Sequence, residues 1–126
     1  LTGACVVALG THITGLFGNC DREIAKIMAA SEKANEEMWR LPINKQIREQ
    51  VRSSKVADIK NSTGRNMGAS SAAAFIEEFI ECNTKWLHLD IAGTAFRSEP
   101  SQFEHYGATG VPVNTLYYYL KDSEAN

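Results

Sequence analysis

Two polar residues on one predicted strand are the first candidates for chemistry. His88 and Asp90 alternate with apolar neighbours in the segment Trp86–Ala92, so both side chains lie on the same face of that strand. An imidazole and a carboxylate at this spacing lie about 7 Å apart and can share a metal ion or a proton. A metal site needs three or more ligands, and no other potential ligand shows a matching spacing. We therefore predict structural roles, with His88 hydrogen-bonded to a backbone carbonyl and Asp90 to loop amides or a helix N-terminus.

Two further segments have the residue types of a site but not the full motif. The segment Lys60–Arg65 is similar to a phosphate-binding loop but lacks the GxxxxGK(S/T) arrangement, so nucleotide binding is not expected. Ser70 and Ser71 have no GxSxG turn around them, so they are predicted to cap the start of a helix rather than act as nucleophiles. The residues alone therefore do not define an active site.

Composition excludes several classes of function. The chain has 126 residues, 44% of them apolar and 22% charged, with a net charge of -2, which gives no reason to expect a nucleic-acid partner. Its apolar runs are too short to cross a bilayer, so no membrane partner is expected. The three cysteines, Cys5, Cys20 and Cys82, show no CxxC spacing, which favours buried thiols in a reducing compartment, here the cytoplasm.

The first half of the chain alternates predicted strands and helices. The apolar run Ala4–Leu9 and the piece His12–Phe17 are predicted to be extended. Asp21 is a predicted N-cap for a helix that continues toward Met38, and Pro42 is predicted to start the next helix. Both helices are predicted from residues at helical spacing. These are Ile24, Ile27, Met28 and Ser31 in the first helix, and Ile43, Ile47 and Val51 in the second.

The second half continues the alternation. A short extended piece is expected at Val56–Ile59, a polar loop at residues 61–68, a strand at Trp86–Ala92 that Gly93 ends, and a polar loop at Ser98–Gly110. Two amphipathic helices are predicted from apolar stripes, one formed by Ala72, Phe75, Ile76, Phe79 and Ile80, the other by Val113, Leu116, Tyr117 and Leu120. Strands that alternate with helices predict an α/β layer fold, and no internal domain boundary is visible.

Five short motifs along the chain resemble one enzyme family. They are Leu1-Thr-Gly-Ala-Cys with Ala8-Leu-Gly and His12-Ile-Thr-Gly-Leu, then Trp39-Arg-Leu-Pro, Val56-Ala-Asp-Ile-Lys-Asn leading to Gly64-Arg and Gly68-Ala, His88-Leu-Asp-Ile-Ala-Gly-Thr-Ala, and Gly107-Ala-Thr-Gly. In this order and at this spacing they resemble the leucine aminopeptidases, the cytosol aminopeptidase family that includes bacterial aminopeptidase A.

The resemblance implies a fold and an activity. The expected fold is a mixed sheet flanked by helices, with residues 1–126 forming the C-terminal portion of a catalytic domain. The implied activity is two-metal release of N-terminal residues, Leu among them, from peptides, with two divalent cations (Zn or Mn) and a bicarbonate. The family's metal ligands and catalytic groups belong to an Asn-Thr-Asp-Ala-Glu-Gly-Arg motif and to lysines that would precede Leu1. No catalytic or metal-binding residue is therefore assigned here, and this chain alone is expected to be inactive. The family also implies a homohexamer.

Substrate-binding positions do carry over by resemblance. Leu1 and Gly3 match positions whose backbone binds the substrate backbone, and Ala92 and Ala95 match the wall of the pocket for the N-terminal side chain. Ser62 matches a position, often Ile, that contacts the following residue, and its polarity departs from the family pattern.

Two other functions remain open at the level of sequence. One is a family member without a metal site that serves as an assembly subunit, which would show substituted carboxylates in the segment before Leu1. The other is DNA binding, as in some bacterial relatives, which the mild acidity of this chain does not support.

Overall fold

The computed structural model describes residues 3–100 and 105–124, and it contains five helices and five strands in these ranges. In chain order they are α1 (Gly3–Leu9), β1 (Thr14–Gly18), α2 (Asp21–Ala34), β2 (Met38–Arg40), α3 (Lys45–Val51), α4 (Gly68–Glu77), β3 (Leu87–Asp90), β4 (Phe96–Arg97), β5 (Gly107–Ala108) and α5 (Val113–Glu124). The predicted class, a mixed sheet flanked by helices, is confirmed. No helix of the described ranges is long and apolar enough to cross a membrane.

Strand β1 is the centre of the main sheet. It pairs in parallel with β2 and antiparallel with β3, giving the order β2-β1-β3. Successive residues of β1 point to opposite faces: Leu16 packs with Ile24 and Ile27 of α2, whereas Phe17 packs with Cys5 of α1 and with α4. Helices therefore cover both faces, which explains why nearly all of β1 is buried. The hairpin β4–β5 forms a separate small sheet, and its second strand lies within the segment Ser98–Gly110 that was predicted to be a loop.

The segment Ala4–Leu9 is helical, so the predicted first strand is wrong. Cys5 is 2% exposed, whereas Val7 is 91% exposed, so one face of α1 is buried and the other is open. Gly10, with φ of 73°, ends the helix, and its N–H donates to the carbonyl of Val6 at 2.8 Å. A short apolar run without polar interruptions has no period that distinguishes a strand from a buried helix.

Two predicted helix boundaries also need correction. Helix α2 starts at Asp21 itself, with Cys20 as the N-cap residue, and the Asp21 carboxylate pairs with Arg40 at 2.7 Å. It ends at Ala34 because Asn35 adopts the left-handed conformation with φ of 54°, so Met38 belongs to β2 rather than to the helix.

Helix α3 starts after Asn44 and not at Pro42. The Asn44 side chain accepts a hydrogen bond from the Ile47 N–H at 3.0 Å, which is the geometry of an N-cap. Ile47 and Val51 are buried, as their spacing predicted. The extended piece expected at Val56–Ile59 is not a strand.

The buried face of α4 is made of small residues rather than the predicted apolar stripe. They are Ala69, Ser70, Ser71, Ala73 and Ala74. A Cβ on Gly68 would lie 2.9 Å from Ala4 Cβ, so small side chains let α4 approach α1 closely. Phe79 lies beyond the end of α4 and is 69% exposed. Ser70 and Ser71 lie inside the helix, and the Ser71 hydroxyl donates to the Gly68 carbonyl, so neither caps it.

Polar contacts determine which face of α5 is buried. The Glu36 carboxylate accepts hydrogen bonds from the N–H and the hydroxyl of Thr115 at 2.9 and 2.7 Å. The Tyr119 hydroxyl donates to Glu23 at 2.8 Å, and this bond is the main reason that the pKa of Glu23 lies below its ordinary value. Burial, followed by the Glu23 carboxylate, raises the pKa of Tyr119. The predicted stripe of Val113, Leu116, Tyr117 and Leu120 consequently faces outward, each residue at least 40% exposed.

Candidate functional site

A tight turn follows β3 and presents two of the predicted site residues. The Asp90 Oδ1 atom accepts a hydrogen bond from the Ala92 N–H at 3.1 Å. The Ile91 carbonyl accepts from the N–H groups of Thr94 and Ala95 at 3.1 and 3.0 Å. Ala92 is exposed and Ala95 is half-buried, so a pocket wall can form here. Strand ends of α/β sheets are common positions for ligands.

Buried threonines hold this turn, which we call the wall turn (residues 91–95), against the rest of the fold. The hydroxyls of Thr14 and Thr94 lie 2.9 Å apart, and both residues are almost completely buried. The Thr109 hydroxyl donates to the Thr94 carbonyl at 2.7 Å, and the Thr109 N–H donates to the Ala95 carbonyl at 3.0 Å. The turn is therefore fixed both to the central strand and to the hairpin β4–β5.

Removal of one hydroxyl from the Thr14–Thr94 pair should destabilise the protein. Thr14→Val keeps the shape but leaves the buried Thr94 hydroxyl without this partner, at a cost of about 1–3 kcal/mol in the free energy of unfolding. Thr14→Ser retains the hydroxyl and should cost less. The double variant Thr14→Val/Thr94→Val should recover part of the loss, because it leaves no lone hydroxyl. Denaturant unfolding of the full gene product measures all three, and strictly additive single losses would argue against the pair.

His88 is partly buried and Asp90 is fully buried, and their side chains make different contacts. The His88 ring stacks on Trp86, with ring centroids 6.2 Å apart, and also contacts Phe17 at 5.8 Å. The expected hydrogen bond from His88 to a backbone carbonyl is not made by Nε2, which has no partner within the described ranges. Asp90 is 1% exposed and binds the wall turn, and its own carbonyl accepts the Cys5 thiol at 4.0 Å. Burial, then the Asp90 carboxylate, raises the pKa of Cys5. No group of three or more His, Cys, Asp or Glu residues that could hold a metal ion occurs in residues 3–100 and 105–124.

The partly buried ring of His88 should make stability depend on pH. Burial lowers the pKa of His88 below its ordinary value, although Asp90 opposes this shift. The unfolded chain therefore takes up a proton below about pH 6.5 that the folded chain does not, so stability is full above that pH and falls below it. His88→Gln should lose less stability than the parent between about pH 7.5 and pH 5. The control His105→Gln, at an exposed histidine, should behave like the parent. Thermal unfolding at each pH measures the stability of the three proteins. The same pH dependence in His88→Gln as in the parent would show that His88 is not its cause.

Ser62 lies in a cavity of about 670 Å³ between α1, the loop 60–67 and the start of α4. Ala4, Val7 and Ala8 of α1 form one of its walls. Gly3 is the first residue of α1, and Leu1 lies outside the described residues. Gly3, Ala92 and Ala95 do not line this cavity. Of the predicted site residues, Ser62 therefore lies on the cavity, and Ala92 and Ala95 lie on the wall turn.

Sequence reasoning missed the residues that fix the wall turn and two of the residues that line the cavity. Thr14, Thr94 and Thr109 were not singled out, although a threonine inside an apolar strand or before a buried turn needs a hydrogen-bond partner. Ala4 and Ala8 line the cavity only because their segment is a helix. The run of glycines, serines and alanines from Gly64 to Ala74 was the available signal for close packing around a cavity.

A mixed sheet with helices on both faces, a fixed turn beyond one strand end and a cavity of about 670 Å³ define the chain as an α/β protein. Residues 1–117 match the model of the catalytic domain of the cytosol aminopeptidase family. The chain belongs to this family, as its five motifs predicted.

Curated relatives and solved structures agree with this membership. The chain is 46% identical over 121 residues to a probable cytosol aminopeptidase of Clostridium tetani, covering 96% of the chain and 25% of that protein. For the corresponding protein of Roseiflexus castenholzii the identity is 47% over 123 residues, covering 97% of the chain and 25% of the relative. The chain thus spans about a quarter of the length of the curated relatives it matches.

The fold matches those of two solved enzymes. The bottromycin maturation enzyme BotP superposes with a TM-score of 0.94 at 39% identity, over 100% of this chain and 28% of that one. A lysine-to-glutamate variant of tomato leucine aminopeptidase superposes with a TM-score of 0.86 at 36% identity, over 95% of this chain and 23% of that one. BotP has also been solved in complex with Mn.

Proposed function

We propose that the protein is an aminopeptidase that uses two divalent cations to release N-terminal residues, Leu-like ones among them, from peptides. The observation that carries the proposal is the family match over residues 1–117, which includes both the wall turn and the loop that lines the cavity. The Mn complex of BotP supports a divalent metal, Mn or Zn, for this chain's family. A bicarbonate bound beside the metals belongs to the same proposal.

The residues described here do not by themselves fit a two-metal site. No group of three potential ligands comes together in the described ranges, and His88 and Asp90 make other contacts. The family resemblance assigns the ligands to a carboxylate motif and to lysines outside these 126 residues. No catalytic step is therefore derived through the metals from this chain.

The role proposed for this chain is to bind the substrate. Ala92 and Ala95 on the wall turn would contact the N-terminal side chain, and their small size leaves space for a long apolar group. The backbone of Leu1 and Gly3 would bind the peptide backbone. Ser62 on the cavity would contact the residue after the cleaved bond. The hydrogen bonds of Thr94 and Thr109 would hold the wall turn in place while the substrate binds.

A cytoplasmic homohexamer is proposed as the working form. The three cysteines are free in the structure, which agrees with a reducing compartment. The outward apolar stripe of α5 offers a surface for subunit contact. Mass measurement of the full gene product in solution tests the assembly, and a monomer would contradict it.

Leucyl-anilide hydrolysis tests the proposed activity. The full gene product, supplied with Mn²⁺ or Zn²⁺, should release the anilide, and a chelator should abolish turnover. The 126-residue chain alone should show no turnover above buffer with metal. A full gene product that assembles but neither binds metal nor turns over would instead support the alternative role of an assembly subunit. DNA binding remains a second alternative, which a gel shift across a salt series would test.

A further inference from the structure

The cavity that contains Ser62 has one apolar wall and one polar wall. Ala4, Val7, Ala8, Leu41 and Pro42 line the apolar side, and residues 60–65 line the polar side. Its volume of about 670 Å³ falls in the range of about 300–1,000 Å³ that is typical of small-ligand sites. The occupant should therefore be a small molecule or a short segment with both an apolar and a polar part.

The charge of the cavity indicates the sign of the polar part. Lys60 and Arg65 carry the formal charges among the described lining residues, and both are basic. Neither makes an ion pair with a carboxylate in the described ranges, whereas Arg48 pairs with Glu77 at 2.6 Å and Arg52 pairs with Glu78 at 2.9 Å. Two unpaired cations beside a partly apolar cavity attract an anionic ligand.

The start of α4 adds hydrogen-bond donors on the same side. Gly68 is its first residue, and Met67 before it has φ of 54° and makes no side-chain capping bond, so the N-cap residue satisfies none of the first N–H groups of the helix. Ser70 lines the cavity, is only 5% exposed, and its hydroxyl makes no hydrogen bond within the described ranges. The Thr63 hydroxyl is itself a buried atom, and it has no partner in the described ranges. An anion at this helix end would accept hydrogen bonds from donors that have no acceptor within residues 3–100 and 105–124.

We propose that this cavity binds the part of the peptide that follows the cleaved bond and recognises its free carboxylate through Lys60, Arg65 and Ser70. The apolar wall of α1 would contact the side chain of that residue. The preferred substrates are then very short peptides, whose C-terminal carboxylate lies close to the cleaved bond. This inference rests on the proposed aminopeptidase function and adds the class of substrate to it.

A matched pair of substrates tests the inference on the metal-loaded full gene product. The parent should cleave Leu-Ala with a higher kcat/KM than Leu-Ala-amide, with the difference mainly in KM. Arg65→Gln should reduce this acid-to-amide ratio about tenfold, and Lys60→Gln should reduce it in the same direction. Both side chains are at the surface, so these variants should fold. Lys55→Gln, at an exposed lysine that does not line the cavity, should leave the ratio unchanged.

The possible outcomes separate this inference from the proposed function. Turnover of both substrates with a ratio that Arg65→Gln and Lys60→Gln leave unchanged would overturn carboxylate recognition and leave the aminopeptidase proposal in place. Absence of turnover with either peptide and with leucyl-anilide would overturn both. If Lys55→Gln also reduced the acid-to-amide ratio, the effect would come from general surface charge. That result would also overturn carboxylate recognition in the cavity.

Discussion

Replacement of Gly93 by alanine should both destabilise the protein and impair peptide cleavage. A Cβ at Gly93 would lie 2.3 Å from the Gly10 carbonyl oxygen, and 3.3 Å from the Gly10 carbonyl carbon and from Thr11 Cα. Backbone atoms cannot rotate away as a side chain can, so the wall turn must shift. Overpacking of this kind costs about 1–3 kcal/mol, and the upper end is expected here. A displacement of about 1 Å at a binding wall can reduce turnover about 100-fold.

Gly10→Ala is the matched control for this prediction. Gly10 has φ of 73°, but nothing lies within 4 Å of its ideal Cβ, so alanine there suffers backbone strain without a clash. Its cost should be about 1 kcal/mol, near the lower end expected for this strain. Thermal unfolding and leucyl-anilide kinetics of the full gene product compare the two variants. A Gly93→Ala protein as stable as Gly10→Ala, with parental kcat/KM, would show that the turn tolerates a side chain.

Sequence patterns predicted the elements whose side chains alternate or repeat clearly. Alternation of Leu87 and Leu89 with polar residues predicted β3, and the spacing of Ile24 and Ile27 predicted α2. The same approach failed at Ala4–Leu9, where every residue is apolar or small and no period remains. The predicted bounds of two helices were wrong by a few residues. The left-handed residue Asn35 ends α2, and the side-chain cap of Asn44 fixes the start of α3.

Sequence could not predict which faces of α4 and α5 are buried. Large apolar residues are usually buried, because the free energy gained on burial grows with the apolar area removed from water. This argument predicted that the stripe with Leu116 and Leu120 would be the buried face of α5. The structure buries Thr115 instead, because its hydroxyl and N–H donate hydrogen bonds to Glu36, which follows the end of α2. On α4 the buried side chains are small because α1 lies too close to α4 to leave room for large ones. Both reasons depend on a neighbour that is far away in sequence.

The candidate site was predictable only in part, for the same reason. Family motifs pointed to Ser62, Ala92 and Ala95, but not to what holds them. The Thr14–Thr94 hydroxyl pair joins residues 80 positions apart, and no local pattern encodes it. Likewise, that Arg65 makes no ion pair with a carboxylate of the described residues becomes visible only when the positions of those carboxylates are known.

The wall turn leads to the second large expected effect, a change of side-chain preference in Ala95→Met. The Ala95 N–H and carbonyl are both hydrogen-bonded, to Ile91 and Thr109, so the backbone should keep its path while the longer side chain enters the space beside it. If that space receives the N-terminal side chain, Met fills volume that Leu and Phe need. Apolar pockets discriminate by about 1–3 kcal/mol per small group, so kcat/KM for leucyl and phenylalanyl substrates should fall roughly 10–200-fold.

Alanyl substrates should lose much less, because a methyl group does not reach the filled volume. Steady-state kinetics on leucyl, phenylalanyl and alanyl anilides measure this pattern in the full gene product. Ala108→Met is the matched control, since Ala108 is exposed on β5 and lies outside the predicted pocket. It adds the same side chain to a strand beside the wall turn and should keep the parental preference. An equal loss for all three substrates in Ala95→Met would mean that this residue supports folding or assembly, and Ala95 would then no longer count as a pocket residue.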